Sequence, residues 1–358
     1  MSRTVLLAGG GTGGHIFPGL AVAEELASMG VSVHWLGARR GLEGEIVGRR
    51  GIPLTLVEME GVRGRGPSAA LAAAAAMPGA VATAVRTVLR LRPCAVLGVG
   101  GYASAAGVLA AGLTGIPWVL QEQNAVPGWT NRSLAPWADL ICCGFEEAVA
   151  AFPSLPAEWT GNPVRAEFFQ VPPLVPHDPH TVLVLGGSQG SLFLNRIVPR
   201  ALALVMGDGR PLRIRHQAGV RWAEVVATAY RDLNVEAEVT AFLAQPWEAL
   251  AEADLVVARA GALTVSELAA AGRPALLIPF AAAAGNHQEH NARSLERAGG
   301  ARVLTEGVAR PERVARELAE LLSDPAALAT MSTHARSLAL PGAARRIARR
   351  LLAVGGGS

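Results

Sequence analysis

Cysteine is scarce in this chain, with three among 358 residues. Cys94, Cys142 and Cys143 do not have the spacing of metal ligands, and two of them are neighbours in an apolar run. They are therefore interpreted as structural thiols of a reducing compartment, which excludes a disulfide framework. The chain also contains no Asp-x-Asp and no His-Glu-x-x-His sequence. A metal-dependent reaction is therefore not expected.

Charged residues are also few, at 17%, whereas hydrophobic residues make up 51% of the chain. This balance excludes a disordered chain and provides enough apolar material for buried parallel sheets. The formal net charge is +3 and the pI is about 9.1, which suits anionic ligands or an anionic membrane surface. Nucleic acid is not expected as a partner, because no module of basic and aromatic residues is found.

No segment has the uninterrupted apolar length of a transmembrane helix. Residues 93–121 lack charge, but glycines and Pro117 divide them into a strand, a turn, a helix and a second strand. Residues 66–85 are also uncharged, yet they consist mainly of alanine and contain Pro78-Gly79. The first four residues lead directly into an apolar run without a signal peptide, so export is not expected.

Two glycine-rich turns, each after a short apolar run, divide the chain into similar halves. The first turn is Gly9–Gly14 and the second is Gly186–Gly190. A strand that ends in glycines and is followed by a helical pattern is typical of nucleotide-binding α/β domains. The sequence therefore predicts two Rossmann-like parallel-sheet domains that face each other across a cleft.

Apolar runs separated by helical patterns continue along both halves, which predicts parallel strands joined by helices. In the first half the predicted strands are Thr4–Ala8, Val31–Leu36, Leu54–Val57, Ala95–Val99, Pro117–Leu120 and Leu140–Cys143. In the second half they are Thr181–Leu185, Leu212–His216, Glu238–Ala241, Asp254–Ala258, Ala275–Pro279 and Ala301–Leu304. The first helix is expected to bury Ile16, Leu20, Ala23 and Ala27 on one face and to end at Gly30.

The first glycine turn contains the G-x-G-x-x-G pattern in Gly9, Gly11 and Gly14. The acidic residue that binds a ribose in dinucleotide sites is missing, since the second strand ends in Leu36-Gly-Ala-Arg-Arg40. An NADP-dependent oxidoreductase remains an alternative, because arginines could favour a 2′-phosphate. The main interpretation is an anion site made of glycine N–H groups and a helix N-terminus. His15 lies either beside this site or simply at a helix start, bonded to backbone.

Three elements of the second half also indicate a phosphorylated sugar ligand. Ser188 in the second glycine turn could bind a phosphate oxygen or stabilise the turn. In a later strand–turn–helix pattern, Thr264 and Glu267 form either a capping box or part of a site in which the helix start holds a diphosphate and the carboxylate accepts ribose hydroxyls. After the next strand, Gln288 and Asn291 are interpreted as amides that bind sugar hydroxyls.

Six blocks of the sequence together resemble the family of bacterial cell-wall glycosyltransferases that add N-acetylglucosamine to lipid I and so make lipid II. The blocks are Gly9–Ala23, Gly98–Ser104, Glu122–Gly128, Gly161–Arg165, Gly186–Gly190 and Gly261–Glu267. They follow the family order and span nearly the whole chain. The resemblance implies an α/β GT-B fold. It places an acceptor and membrane-associating domain at 1–162, to which 341–358 returns, and a donor domain at 163–340.

The resemblance also implies the reaction, the ligands and their contacts. UDP-N-acetylglucosamine would be the donor and undecaprenyl-linked lipid I the acceptor, with inversion at the anomeric carbon and no cofactor. Donor contacts are implied at Thr12, Gly13, Gly14, Asn124, Arg165, Ser188, Leu243, Ala262, Leu263, Thr264, Val265, Ser266, Glu267 and Gln288. The lipid diphosphate is implied at Gly11, Gly100, Gly101, Tyr102 and Ser104. The chain departs from the family pattern at Asn286 and at Ala244-Gln-Pro, where acidic residues are common.

Two further expectations concern catalysis and localisation. His15 is the candidate base for the muramyl 4-hydroxyl, because an imidazole titrates near neutral pH. Peripheral attachment to the anionic cytoplasmic membrane face is expected through a basic and apolar stripe, with a buried alanine-rich helix and solvated arginines as the alternative. The stripe comprises Arg63, Arg65, Arg86, Arg90 and Arg92 around Leu71, Met77, Val81, Val85 and Leu89. A UDP-sugar epimerase and a non-catalytic nucleotide-sugar sensor remain alternative functions.

Overall fold

The structure is a computed structural model that describes residues 3–11, 13–39, 41, 43–59, 66–187 and 189–356. For residues 66–73 and 284 it describes the backbone alone. The chain divides into two compact units. The first unit is Met1–Val164 together with Gly342–Ser358, and the second unit is Arg165–Pro341.

Seven parallel strands form the sheet of the first unit, in the order β3-β2-β1-β4-β5-β6-β7. They are β1 Thr4–Ala8, β2 Ser32–Ala38, β3 Leu54–Val57, β4 Ala95–Gly98, β5 Trp118–Glu122, β6 Leu140–Cys143 and β7 Ala157–Trp159. Val5 is in register with Val33 of β2 on one side and with Ala95 of β4 on the other. The first strand therefore lies inside the sheet, with its glycine turn between two neighbouring strand ends.

Six parallel strands form the sheet of the second unit, in the order β10-β9-β8-β11-β12-β13. They are β8 His180–Leu185, β9 Leu212–Gln217, β10 Glu238–Thr240, β11 Leu255–Ala258, β12 Ala275–Leu277 and β13 Ala301–Val303. The first six strands of each unit follow the same 3-2-1-4-5-6 order. This is the Rossmann order, in which ligands bind beyond the carboxyl ends of the strands where the order reverses.

Helices connect the strands, as parallel pairing requires. They are α1 Gly13–Ser28, α2 Glu43–Ile46, α3 Gly66–Leu91, α4 Tyr102–Thr114, α5 Trp129–Leu134, α6 Glu146–Val149, α7 Leu192–Gly207, α8 Ala223–Asp232, α9 Pro246–Glu252, α10 Ala262–Ala271, α11 His287–Arg297, α12 Pro311–Leu322, α13 Pro325–Ser337 and α14 Ala343–Val354. Within the described part of the chain, no helix combines the length and apolarity needed to cross a bilayer.

The sheet of the first unit is buried on both faces, because its strands are apolar at successive positions. Leu6 belongs to one core cluster and Val5 and Leu7 to another, and all three are fully buried. The second cluster also contains Ile347 and Leu351 of α14. The C-terminal helix therefore packs on the first unit, on the opposite face from the cluster that contains Leu6.

The strands predicted from the sequence are all present, with ends that differ by at most two residues. The short strand β7 was missed, because Ala157–Trp159 contains a glutamate and pairs with β6 alone at the sheet edge. In α1 the prediction for Ala27 was wrong: this residue is exposed, and Leu26 is buried in its place.

Candidate active site

The glycine turn after β1 is held by hydrogen bonds within the first unit. The N–H groups of Gly9 and Gly10 donate to backbone carbonyls of β2 and of the turn after β4. The N–H of Gly11 donates to Glu43 Oε1 at 2.8 Å. These three donors are engaged within the first unit, and the contact of Gly11 with the lipid diphosphate stays a prediction. The remaining backbone N–H donors of this segment are those at the start of α1.

The first turn of α1 offers backbone donors at Gly13 and Gly14. The helix begins at Gly13 and has no acidic residue in its first turn. The N–H groups of a first helical turn have no acceptor within the helix, and they favour a negative charge. Gly14 is exposed, whereas Gly13 is buried. Thr12, which was predicted beside them, lies outside the described residues.

The turn after β4 approaches the turn after β1 closely, which requires glycine at two positions. Gly100 and Gly101 have φ values of 97° and 82°, which disfavour any side chain. A Cβ on Gly100 would lie 2.7 Å from His15 Nδ1, and one on Gly101 would lie 2.5 Å from Gly10 O. These contacts bring the acceptor residues predicted from separate blocks to one edge of the first sheet.

The helix α4 starts directly after this turn. Gly101 is its N-cap residue, and no side chain within the described part of the chain caps the helix, so the backbone N–H groups from Tyr102 onward suit an anion. Tyr102 is half-buried and packs against the core. Ser104 is fully buried, and its contact with the lipid diphosphate stays a prediction.

His15 lies between the two turns with its Nδ1 facing two acceptors. Nδ1 is 3.1 Å from Val99 O and 3.2 Å from Gln123 Oε1. Since a carbonyl oxygen and an amide oxygen can only accept, the hydrogen of the neutral imidazole belongs on Nδ1. The lone pair of the ring is then on Nε2, the nitrogen that can take a proton.

The orientation of Gln123 is fixed by a group of buried amides. Its Nε2 donates to Val99 O at 2.8 Å and to Gln121 Oε1, so its Oε1 faces His15. Gln121 Nε2 donates to Asn162 Oδ1 at 3.2 Å, and Asn162 Nδ2 donates to Gln123 O at 2.8 Å. Sequence reasoning missed this role of Gln123. Its position in the block Glu122–Gly128, directly after β5, was the available signal.

Asn124 is positioned by the neighbouring carboxylate of Glu122, which is buried. Glu122 Oε1 accepts from the Asn124 N–H at 2.9 Å and from Asn124 Nδ2 at 3.1 Å. Its Oε2 accepts from the Gly128 N–H at 3.0 Å and from Asn131 Nδ2 at 2.9 Å. Four donors satisfy this buried carboxylate, which fixes the turn after β5 and places Asn124 at the same sheet edge as His15.

In the second unit, the glycine turn after β8 is packed tightly against the end of β9. A Cβ on Gly190 would overlap Ala218 O, and Gln217 Nε2 donates to Gly187 O at 3.0 Å. Ser191 then caps α7 by accepting from the Leu194 N–H at 3.3 Å. Ser188, the predicted phosphate contact, lies outside the described residues.

The start of α10 has glycine at its N-cap position, Gly261. None of the side chains that the structure describes caps its first turn. The alternative of a capping box between Thr264 and Glu267 was therefore wrong, because the helix begins at Ala262. The backbone N–H groups of the first turn suit a diphosphate, since the turn carries no acidic residue.

Glu267 lies one turn further along α10 beside Arg165. Burial raises the pKa of Glu267 to about 7, and the positive charge of Arg165 opposes this rise. The guanidinium of Arg165 stacks over the ring of Trp247 at 4.3 Å and lies 5.4 Å from the ring of Phe168. A carboxylate and a cation that were predicted from distant blocks are thus neighbours.

Gln288 connects the turns after β11 and β12. Its Oε1 accepts from the Ala260 N–H at 3.3 Å and from the Phe280 N–H at 3.0 Å. Asn291 is fully buried, and its Nδ2 donates to Ala260 O at 3.2 Å. The expectation that Asn291 binds sugar hydroxyls is therefore corrected, since its amide supports the turn from within. Leu243 is half-buried in the connection between β10 and α9.

Arg259, which sequence reasoning did not single out, also braces these turns. Its Nε donates to Ser191 Oγ at 2.9 Å, and its Nη1 donates to Ile278 O at 3.0 Å. Its Nη2 is 2.5 Å from Glu306 Oε1. Burial lowers the pKa of Arg259, while Glu306 opposes this shift. The residue ties the glycine turn after β8 to the turn after β12.

Among the described residues, no group of three His, Cys, Asp or Glu side chains could hold a metal ion. Glu289, which lies between His287 and His290 in the sequence, accepts instead from Asn286 Nδ2 at 2.6 Å. Its second oxygen is 3.4 Å from Arg293 Nη2. The carboxylate of this histidine-containing segment is therefore engaged by an amide and a guanidinium.

The predicted membrane stripe on α3 is only partly exposed. Met77, Val81 and Val85 pack against the core of the first unit, so they do not form an apolar surface as expected. Arg86, Leu89, Arg90 and Arg92 are exposed. Arg63 and Arg65 lie outside the described residues, as does the side chain of Leu71. The neighbouring helix α4 adds Leu109 and Leu113, which is 73% exposed.

Comparison with known proteins identifies both halves of the chain. The sequence profile of the glycosyltransferase family 28 N-terminal domain matches residues 5–142, and that of the C-terminal domain matches residues 181–347. A curated relative from Pseudomonas paraeruginosa is 45% identical over 367 residues, covering 100% of both chains. Its name is UDP-N-acetylglucosamine–N-acetylmuramyl-(pentapeptide) pyrophosphoryl-undecaprenol N-acetylglucosamine transferase.

Solved structures agree with this result. The crystal structure of MurG from Acinetobacter baumannii has a TM-score of 0.81 and 33% identity, covering 98% of this chain and 99% of that chain. A putative UDP-N-acetylglucosamine 2-epimerase from Listeria monocytogenes has a TM-score of 0.69 over 99% of this chain and 96% of that chain. At 14% identity, this second likeness shows the fold alone. The predicted two-domain α/β fold of the GT-B class is confirmed.

Proposed function

Since the chain belongs to glycosyltransferase family 28, we propose that it transfers N-acetylglucosamine from UDP-N-acetylglucosamine to lipid I. The acceptor atom is the C4 hydroxyl oxygen of the N-acetylmuramyl residue, and the product is lipid II with a β-1,4 linkage. The observation that carries this proposal is 45% identity, over the full length of both chains, to a relative named for this transfer.

The donor half of the proposal rests on the second unit. The uncapped start of α10, from Ala262 to Ser266, presents backbone N–H groups to the diphosphate. Glu267 follows on the same helix and accepts hydrogen bonds from the ribose hydroxyls, because a carboxylate has two acceptor oxygens. Gln288 and Leu243 are the proposed contacts of the sugar and the uracil.

Departure of UDP places growing negative charge on the diphosphate. Fixed N–H dipoles and a nearby cation stabilise such charge without reorganising when the reaction occurs. The start of α10 supplies the dipoles, and Arg165 supplies the cation. The stack on Trp247 restricts the guanidinium, so less conformational freedom is lost when it binds the leaving group.

The acceptor half rests on the turns after β1, β4 and β5 in the first unit. The start of α4 provides donors for the lipid diphosphate at Gly101 and Tyr102, whereas Gly13 and Gly14 at the start of α1 are proposed as contacts of UDP-N-acetylglucosamine. His15 accepts the hydroxyl proton through Nε2, because Val99 O and Gln123 Oε1 hold the hydrogen on Nδ1. The activated oxygen then attacks the anomeric carbon opposite UDP and inverts it.

The test is transfer from labelled UDP-N-acetylglucosamine to a short-chain lipid I analogue in the presence of excess EDTA. We expect labelled disaccharide-lipid with an undiminished rate, because the proposed leaving-group stabilisation uses no metal. Loss of product in EDTA and its recovery with magnesium would contradict the metal-independent part alone. No product with or without magnesium would overturn the transfer itself.

The same assay separates the alternative functions. A UDP-sugar epimerase would convert the labelled donor to an isomer without acceptor, and a nucleotide-sugar sensor would bind donor without any turnover. The epimerase is not favoured, because the epimerase structure shares 14% identity with this chain, whereas the named transferase shares 45%. No oxidoreductase is among the relatives described above.

Peripheral attachment to the anionic cytoplasmic membrane face is the proposed localisation. Arg86, Arg90 and Leu89, which is 60% exposed, lie near the end of α3, and α3 packs along α4 with its exposed Leu113. Cations near such a surface contribute about 1 kcal/mol each to binding anionic lipid.

Co-sedimentation with phosphatidylglycerol vesicles tests this surface. Charge reversal in Arg86→Glu/Arg90→Glu should weaken vesicle binding by more than tenfold at low salt. The matched control is Arg196→Glu/Arg200→Glu, which reverses two exposed arginines at the same spacing on α7 of the second unit. Equal loss in both double variants, or none in either, would show that this end of α3 is not the attachment surface.

A further inference from the structure

We propose that Glu43 is a positioning residue of the acceptor site, which fixes the turn from β1 into α1 and thereby the place of His15. This inference rests on the proposed function for its kinetic consequence. Its structural part rests on the contacts of this one buried carboxylate. Glu43 is not among the site residues predicted from the sequence.

Glu43 bonds to two backbone positions at the end of the sheet. Its Oε1 accepts from the Gly11 N–H at 2.8 Å and from the Ala38 N–H at 3.1 Å. The first contact spans 32 residues of sequence, so it joins the turn after β1 to the segment after β2. Hydrogen bonds to a charged acceptor are stronger than those between neutral groups.

Three glycines make room for this side chain. A Cβ on Gly10 would overlap Glu43 Oε1, and a Cβ on Gly41 would overlap Glu43 Oε2. A Cβ on Gly37 would lie 2.8 Å from Glu43 Cγ. The side chain therefore occupies a space that exists only because these three positions lack side chains. The three glycines and Glu43 depend on one another.

Burial of the Glu43 carboxylate is energetically unfavourable. Glu43 is fully buried, and its Oε2 has no hydrogen-bond partner among the residues that the structure describes. Burial of a carboxylate oxygen without a partner is unfavourable. A glutamine would offer Gly11 and Ala38 the same acceptor oxygen without the charge, so Glu43→Gln separates the two hydrogen bonds from the charge of the side chain.

Glu43 affects the active site because Gly11 lies just before His15 in the sequence. Gly11 precedes the start of α1 at Gly13 by two residues and His15 by four. Glu43 holds the turn at one end, and Val99 O holds His15 at the other. Without Glu43 the glycine turn loses one of the hydrogen bonds that set the direction in which α1 begins. Misplacement of a catalytic group by about 1 Å can lower the rate about a hundredfold.

Three variants test the inference: Glu43→Ala removes both bonds, Glu43→Gln keeps the acceptor oxygen, and Glu45→Ala is the matched control. Glu45 lies two residues further in α2 and forms an exposed pair with Arg49 at 2.8 Å. Deuterium uptake is measured in a peptide covering residues 5–16 and in a reference peptide of the second unit. Steady-state rates are measured with varied donor and varied acceptor.

We expect Glu43→Ala to take up deuterium faster in residues 5–16 alone and to lower kcat by about tenfold to a hundredfold, with the donor KM unchanged. Glu43→Gln should restore most of the rate, and Glu45→Ala should match the wild-type protein. Wild-type exchange and rate in Glu43→Ala would overturn the proposal. So would faster exchange in both peptides with an equal rise in donor KM, which would indicate a general structural role.

The exchange measurement is independent of the reaction. If the wild-type protein makes no lipid II, the proposed function fails, while exchange in residues 5–16 still decides whether Glu43 holds the turn. If the wild-type protein is active and Glu43→Ala is equally active, the positioning role fails and the proposed function stands.

Discussion

The ionisation of Glu267 should control the affinity of the protein for its donor. Burial raises the pKa of this carboxyl to about 7, so its ionised fraction is about one tenth at pH 6 and about nine tenths at pH 8. Only the carboxylate can accept hydrogen bonds from both ribose hydroxyls through both oxygens. The dissociation constant of UDP-N-acetylglucosamine should therefore fall about tenfold between pH 6 and pH 8.

Isothermal titration calorimetry at half-unit pH steps measures this dependence. The intact sugar nucleotide is used and not UDP, because the terminal phosphate of free UDP itself titrates in this range. Glu267→Gln removes the titration, so its affinity should be nearly independent of pH and about tenfold below the wild-type value at pH 8, which is about 1.4 kcal/mol. His15→Gln serves as the control, because it removes a different titratable group and should keep the wild-type slope.

Two results would refute this reasoning. A flat wild-type affinity from pH 6 to pH 8 would mean that the donor does not depend on ionised Glu267. An equal slope in Glu267→Gln and in the wild-type protein would assign the pH dependence to another group.

Further predictions concern the first unit. His15→Ala should lower kcat by about a hundredfold or more while the circular dichroism spectrum is unchanged, and a near-normal kcat would remove the residue as the base. Gln123→Glu places a carboxylate at the Nδ1–H of His15, and this negative charge favours the protonated imidazole. The acid limb of the pH–rate profile should therefore move to higher pH by on the order of one unit. An unmoved limb would contradict the assigned tautomer. Gly101→Ala should lower Tm and kcat more than Gly115→Ala. Both positions have left-handed φ values of 82° and 70°, but only Gly101 would bring its Cβ against Gly10 O. Equal effects would show that the close approach of the two turns is unimportant.

The strands and their alternation with helices were predictable from the sequence, because buried parallel strands are continuous apolar runs between glycine turns. The strand β7 was not, since an edge strand of three residues needs no such run. The resemblance of the six blocks to the lipid I glycosyltransferases, and with it the family, was also fixed by the residues and is confirmed by the comparisons.

The tertiary structure decided which polar groups of those blocks are bonded or buried within the protein. Motif residues such as Gly11, Ser104 and Asn291 look like ligand contacts in the sequence, but their polar groups are engaged or buried within the fold. The roles of Glu43 and Gln123 come from contacts across 32 and 108 residues. The order of the strands brings such distant groups together at one sheet edge, and hydrogen-bond geometry at that edge is a property of the packed turns and not of local sequence.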